Sequence, residues 1–423
     1  MALHTERTFE TAIETHLVEK GGWAQGKPAD FHRERGLVAK DFLAFVQASQ
    51  PETWGELKKA QPNELEEVVL DALAKFLESR GTLDVLRRGF KVLGKQIDAA
   101  YFKPAHGLNP DIVAKYEKNR LVITRQVKFI VDHDDSVDVM LSLNGLPIAT
   151  IELKNHLTGQ STDDAIDQYK RRDPKHRLFQ FKKRTLVHFA ADSDLVAMTT
   201  KLAGKDTVFL PFNRGCDGGK GNPQHPSGYK TAYFWEEVLQ RDSFLDILAR
   251  FLHLVVEEKK TPDGRTKVSE SIIFPRYHQL DAVRKLVGAA QKSKSGQNYL
   301  VQHSAGSGKS NSIAWLAHRL SNLHDDADKK VFDSVVVITD RRVLDKQLQD
   351  TIFQFEHKSG VVARIDENSG QLADELKKGT PIIITRNRFS GPSRCGTSLR
   401  ASGSTLADSP AFLQESPMAC TPS

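Results

Sequence analysis

Asn144-Gly145 lies between two runs of strand-forming residues, 137–143 and 146–153, and constrains the fold more than any other feature. Both centre residues of a tight hairpin turn need positive φ, which Asn and Gly tolerate best, so the two runs are expected to pair antiparallel. Side chains alternate along a strand, so the pairing also decides which residues share a face. Glu152 and Lys154 then leave one face together, while Ala149, Ile151 and Leu153 point the other way, toward a core. Asp138 begins the first run, fourteen positions before Glu152, and pairing across the turn brings it beside Glu152.

Two carboxylates and a lysine at one point suit phosphodiester hydrolysis. The acids, Asp138 and Glu152, are placed to hold Mg²⁺, which screens the phosphate charge and eases deprotonation of water. Lys154 is placed to steady the attacking water and the transition-state charge. The plain alternative is a solvated Glu–Lys ion pair on a strand face. Three further polar residues fall on neighbouring elements. Glu10 lies in an expected helix over 6–20, whose Phe9, Ile13 and Leu17 recur every four residues. Gln168 and Tyr169 lie in an expected helix over 163–171, where Tyr169 equally suits packing.

A second motif stands far downstream. Residues 299–302 read as a strand, and His303-Ser304-Ala305-Gly306-Ser307-Gly308-Lys309-Ser310 opens a helix over 309–320. Glycines let backbone N–H groups turn toward phosphate oxygens, and the helix N-terminus adds its dipole. Lys309 is placed for the β- and γ-phosphates of ATP, and Ser310 for the accompanying Mg²⁺. The strict form of this loop begins with Gly, where this chain has His303. Gln279, about thirty residues upstream, stands where helicase-type motors place an adenine-reading glutamine. The strand over 335–339 ends in Asp340 and Arg341, a strand end that in such motors meets the nucleic-acid backbone.

The order of patterns divides the chain. Residues 1–256 combine helices with a mainly antiparallel set of strands over 121–131, 137–143, 146–153 and 185–191. A further helix over 64–79 carries the stripe Leu65, Val68, Val69, Ala72, Leu73, Phe76 and Leu77, read as core-facing. Residues 257–270 are charged, contain Pro262 and Gly264, and read as a linker. Residues 271–385 alternate strand and helix, the rhythm of a parallel sheet. Residues 386–423 are crowded with Ser, Gly, Pro, Ala and Thr and read as a disordered tail. The fold class is therefore α/β in two domains, the second incomplete.

Composition narrows the functional classes. The net charge of +6 and pI of about 9.0 favour a polyanionic partner. Three cysteines, Cys216, Cys395 and Cys420, have neither disulfide-framework nor metal-ligand spacing, which fits a reducing cytoplasm. No apolar run is long enough to span a membrane, and no secretory signal opens the chain. The clusters Lys170-Arg171-Arg172, Lys175-His176-Arg177 and Lys182-Lys183-Arg184 offer phosphate contacts or simply a solvated basic face.

Asp138 with Glu152-Leu153-Lys154 resembles the site of the PD-(D/E)xK nuclease superfamily, a mixed sheet flanked by helices, and the helicase-like features resemble the first RecA-like lobe of superfamily 2 motors. That superfamily often adds an acid from its first helix, here Glu10. Some relatives carry Gln-x-x-x-Tyr in the following helix, whereas Gln168 and Tyr169 are adjacent here. With Leu143-Asn144-Gly145-Leu146-Pro147, Leu186-Val187-His188-Phe189-Ala190, Met198-Thr199-Thr200 and the loop from His303 to Asn311, the chain to about Thr385 resembles the R subunit of type I restriction enzymes.

The resemblance implies a subunit of an antiviral restriction–modification complex, joined to modification and specificity subunits. It implies Mg²⁺-dependent cleavage of foreign duplex DNA at Asp138, Glu152 and Lys154, with Glu10 and Gln168 assisting. It implies ATP held by Gln279 and Gly306, Ser307, Gly308, Lys309 and Ser310 to drive translocation, with S-adenosylmethionine bound by the modification partner. The family continues with an Asp-Glu-x-His box, a second lobe and a helical docking region. This sequence instead runs from Thr385 into the low-complexity tail, as a frameshift would produce. ATPase and translocase activity are therefore expected to be lost. Two alternatives stay open: an inactive remnant that only binds DNA or ATP, and a stand-alone ATP-dependent nuclease of another defence system.

Overall fold

The computed structural model describes residues 6–104, 109–130, 133–155, 159–260, 266–339, 342–355, 360–365, 369–386 and 411–414. Contacts divide the chain into one unit of residues 1–104 with 109–277, and a second of 105–108 with 278–423.

The first unit opens with helix α1 (Glu6–Glu19), which buries Phe9, Ile13 and Leu17. The short strand β1 (Ala24–Gln25) follows. Residues not read as regular structure from the sequence form α2 (Ala39–Ser49) and α3 (Pro51–Ala60). Helix α4 (Leu65–Arg80) buries Leu65, Val69, Leu73 and Leu77 of the expected stripe, and Leu70 beside it. Next come α5 (Thr82–Arg88), the small hairpin β2 (Phe90–Val92) and β3 (Lys95–Ile97), and α6 (Pro110–Glu117).

The central sheet is then laid down by β4 (Leu121–Lys128), β5 (Ser136–Leu143) and β6 (Leu146–Leu153). Helix α7 (Thr162–Arg171) crosses to β7 (Val187–Ala191), followed by β8 (Val196–Thr199) and β9 (Leu210–Pro211). Strand order is β1-β4-β5-β6-β7-β8-β9. Neighbours run antiparallel except β1 with β4 and β6 with β7, which are parallel. The β5–β6 hairpin forms at the expected turn, where Asn144 and Gly145 have φ of +50° and +78°. Val139 faces Ile151, so the neighbouring Asp138 and Glu152 are brought side by side.

Every residue of β6 is buried, Glu152 included, so the expected division into a core face and an open face does not hold. The cause is cover on both sides of the sheet. On adjacent β7, His188 packs on Tyr169 of α7 and on Phe179. Phe189, pointing the opposite way, packs on Phe212, Phe234 and Phe274. The unit continues through wide helical turns at 234–238 and 247–251 and α8 (Arg241–Asp246). Residues 257–270, read as a linker, instead supply most of a two-stranded antiparallel ribbon, β10 (His253–Lys260) with β11 (Thr266–Ile273). Its strands are charged because the ribbon is largely exposed, and this gave them the composition of a linker.

The second unit takes in α9 (Tyr277–Ser293) from His278 on, then α10 (Lys309–Ser321), β12 (Val335–Thr339), α11 (Arg342–Gln354), β13 (Val362–Ile365), α12 (Ser369–Lys377) and β14 (Ile382–Arg386). A parallel sheet of order β13-β14-β12-β15 forms, with β15 (Ala411–Gln414) on β12. Two expectations change here. Residues 299–302 form no strand, and Tyr299, Leu300 and Val301 are exposed. Both edges of β12 are already taken, by β14 and β15, which leaves no place beside it for another strand. Residues 411–414, read as part of a disordered tail, are a strand because a short apolar run, Ala411-Phe412-Leu413, is set within the polar tail. The rest of the tail from 387 on, together with Asp340 and Arg341, lies outside the described residues.

Candidate carboxylate site and phosphate loop

Asp138 is held by the hairpin itself. Its Oδ2 accepts from the backbone N–H of Leu153 at 2.8 Å, which ties the acid to the strand that carries Glu152 and Lys154. Helix α1 packs against β4 and β6 and so delivers Glu6 and Glu10, one turn apart, to the same place. One carboxylate oxygen each from Glu6, Glu10 and Asp138 lies within 4.8 Å of the others. Burial raises the Glu6 carboxyl above its usual range, and Asp138 pushes the same way while Lys154 opposes. Burial likewise raises Glu10, with the hydrogen bond from Arg125 opposing and Asp138 adding. Three crowded acids are a donor set that a hard divalent cation fits, since its charge relieves their repulsion.

Glu152 sits beside this cluster but faces α7. Its Oε2 accepts from Gln168 Nε2 at 2.8 Å, and its Oε1 from Arg172 Nη2 at 2.8 Å. Burial pushes its carboxyl well up, Asp138 adds to the rise, and Arg172 opposes. Lys154 Nζ donates to the Leu153 carbonyl at 2.9 Å and reaches Glu6 Oε1 at 3.4 Å. Asp138, Glu152, Lys154, Glu10 and Gln168 are thus brought into one neighbourhood. The metal pair expected from sequence, Asp138 with Glu152, differs from the three-acid cluster, which takes Glu6 and Glu10 with Asp138.

Sequence reasoning missed Glu6, Arg125, Gln126 and the true setting of Arg172. Glu6 lies four residues before Glu10 on α1, and that spacing was the available signal. Arg172 is not an exposed phosphate contact. Its side chain is 9% exposed, bonds Glu152 and the Ser136 carbonyl, and lies over the Phe129 ring. Other members of the basic clusters are also engaged. Arg184 is fully buried against Glu78 and the Arg35 carbonyl, Lys183 pairs with Glu78, and Lys182 with Glu270. Tyr169 is buried, its hydroxyl bonded to Thr150 at 2.9 Å, in a packing role.

In the second unit, Gly306 and Gly308 adopt φ of +73° and +82°, which lets the loop curl onto the N-terminus of α10. Lys309 and Ser310 are the first two residues of that helix. Lys309 Nζ folds over the loop toward the carbonyls of His303 and Ser304, at 3.3 and 3.4 Å. Gln279 is buried and its Nε2 donates to the Gly308 carbonyl at 2.8 Å, so it touches the loop instead of standing open on α9. Ser307 is also buried, and its carbonyl contacts His278 Nε2 at 3.1 Å.

Residues 4–207 match the family model for the type I restriction enzyme R protein N terminus, and residues 278–402 match that for the SWI2/SNF2 ATPase. The MjaVIIIP endonuclease subunit of Methanocaldococcus jannaschii is 27% identical over 258 residues, which cover 57% of this chain and 22% of that protein. The type I restriction enzyme SauCOLORF180P endonuclease subunit of Staphylococcus aureus strain COL is 24% identical over 271 residues, 63% of this chain and 26% of the relative. The SsaAORF53P endonuclease subunit of Staphylococcus saprophyticus matches with the same identity and coverage. The matched stretch thus spans about a quarter of the length of these relatives.

Proposed function

We propose that the carboxylate cluster of the first unit, whose residues 4–207 match the type I restriction enzyme R protein N terminus, is a Mg²⁺-dependent site for cleaving duplex DNA. The observation that carries the reading is the convergence of Glu6, Glu10 and Asp138 beside Glu152 and Lys154. Glu6, Glu10 and Asp138 are the residues that would hold the cation. When bound, it would supply charge neutralisation at the phosphate and acidify water.

The side chains divide the remaining work. Glu152, clamped by Gln168 and Arg172, is fixed in orientation next to Asp138 and serves to orient or accept a proton from the attacking water. Lys154, anchored on the Leu153 carbonyl, offers its ammonium to the developing negative charge. Arg172 holds Glu152 from behind. We further propose that Gly306, Ser307, Gly308, Lys309 and Ser310, with Gln279 bracing the loop, bind ATP, with Ser310 toward its Mg²⁺. In this reading a full-length R subunit works with modification and specificity subunits, the modification subunit binding S-adenosylmethionine, and there couples ATP to DNA translocation.

The test is nicking of supercoiled plasmid by the purified chain, with Mg²⁺ and with EDTA. Wild-type protein is expected to nick only with Mg²⁺, and Asp138→Ala and Glu152→Ala are each expected to lose at least a hundredfold in rate. Lys154→Ala is expected to lose on the order of 10²-fold, the scale of removing one transition-state stabiliser. Equal nicking by wild type and Glu152→Ala would refute the site, and the absence of Mg²⁺-dependent nicking by wild type would refute the activity for this chain.

A further inference from the structure

Strand β4 carries an irregularity that the proposed reaction does not use. Arg125 pairs with Val139 and Val127 with Val137, so the register is kept and Gln126 stands across from Asp138, but the ladder is interrupted at that one position. Its φ is +51°, a left-handed conformation that a non-glycine residue rarely adopts. Nothing apolar accounts for it, because Gln126 is an exposed polar residue.

The left-handed kink changes where side chains point. In a regular strand, consecutive residues leave opposite faces, so Arg125 and Gln126 would be separated. Here both reach the same carboxylate. Arg125 Nε donates to Glu10 Oε2 at 2.9 Å, while Gln126 Nε2 donates to Glu10 Oε1 at 2.9 Å. The same Gln126 amide donates to Asp138 Oδ1 at 3.2 Å, and its Oε1 accepts from Ser136 Oγ at 3.0 Å. One side chain therefore links an acid of α1 to an acid of β5, with its own carbonyl oxygen fixed by β5.

We infer that Gln126 is a positioning residue: its left-handed backbone, across from Asp138 on β5, aims its amide between Glu10 and Asp138 and sets the spacing at which the two carboxylates receive a divalent cation. The inference rests on the cation site proposed above and adds the device that shapes it. The amide is neutral and donates two hydrogen bonds, so it draws two like-charged groups together without neutralising either. An arginine there would neutralise them and compete with the cation, and a shorter side chain would not span the gap.

Mn²⁺ binding to the full chain, followed by electron paramagnetic resonance, tests this without relying on cleavage. Gln126→Gly keeps the left-handed backbone at no steric cost and removes the amide. Gln126→Asn also tolerates that backbone but is one methylene too short to bridge. Both variants are expected to bind Mn²⁺ about tenfold more weakly than wild type while melting within a few degrees of it. Gln126→Glu restores the length and adds a carboxylate, and is expected to bind Mn²⁺ more tightly than wild type while melting lower in EDTA. If wild type binds Mn²⁺ and Asp138→Ala does not, yet Gln126→Gly and Gln126→Asn bind as wild type, the positioning role is overturned and the cation site stands. If wild type binds no Mn²⁺, both fall. Should Gln126→Gly fail to fold, the affinities of Gln126→Asn and Gln126→Glu decide alone.

Discussion

His188 ends a chain of buried hydrogen bonds that begins at the Tyr169 hydroxyl. That hydroxyl meets Thr150 Oγ1 at 2.9 Å, and Thr150 Oγ1 meets His188 Nδ1 at 2.7 Å. Thr150 is two residues before Glu152 and shares its face, so this neutral chain underlies the buried acid. Burial lowers the His188 pKa to about 3. An unfolded histidine titrates near 6.5, so below that pH the unfolded chain binds a proton that the folded chain refuses. Stability contributed here is full above pH 6.5 and is lost as pH falls toward 3. Between pH 8 and pH 5 the loss from this one group is about 2 kcal/mol. His188→Gln, which cannot titrate, is expected to be less stable than wild type at pH 8, and the gap is expected to narrow by about that amount at pH 5. Urea unfolding at the two pH values measures it, and a gap independent of pH would show that His188 is not held neutral.

The β5–β6 hairpin places three of the expected site residues, and it depends on Gly145. A Cβ at Gly145 would lie 2.3 Å from the Val38 carbonyl oxygen and 2.9 Å from the Phe42 backbone nitrogen, at a φ of +78°. The Gly145 carbonyl also accepts from Val38 N–H at 2.8 Å, so the turn is the seat of α2. Asn144 fixes the other side, with Nδ2 donating to the Ala99 carbonyl and Oδ1 accepting from Arg120 N–H. Gly145→Ala is expected to cost roughly 2–3 kcal/mol, the scale of a strained backbone against fixed neighbours, and so to lower the urea midpoint. An unchanged midpoint would mean the close approach is not there. This element was legible in the sequence because turn chemistry and a period of two are local signals. The kink in β4 was not, since no turn residue marks the positive φ of Gln126 and residues 121–128 read as one unbroken run. Burial of both faces of β6 was equally hidden, because Thr150, Glu152 and Lys154 keep a polar alternation that here faces α7 and its own hydrogen-bond partners instead of water. Arg172 looked like part of a basic run, and only the return of the chain beneath the sheet turns it inward.

At the scale of the whole molecule, each proposed site draws its residues from one unit. Glu6, Glu10, Gln126, Asp138, Glu152, Lys154, Gln168 and Arg172 belong to the first, and Gln279 with Gly306 through Ser310 to the second. The order of motifs led to an expected boundary over 257–270, where antiparallel hairpin pattern gives way to strand–helix alternation, whereas the contacts divide the chain after Tyr277. The division carries a prediction about binding. A ligand that binds only the folded state stabilises it by RT ln(1 + [L]/Kd), about 2.7 kcal/mol at a hundred times Kd. At fixed Mg²⁺, ATP is expected to raise the melting temperature of wild-type protein, and Lys309→Ala is expected to abolish that rise by removing the ammonium beside the loop. The same variant is expected to keep wild-type Mn²⁺ affinity, and Asp138→Ala to keep the full response to ATP while losing Mn²⁺. Calorimetry with each ligand on the two variants gives the four values needed. Loss of Mn²⁺ affinity in Lys309→Ala, or loss of the ATP response in Asp138→Ala, would show that the two sites depend on one another, whereas mutations with no shared partners act independently.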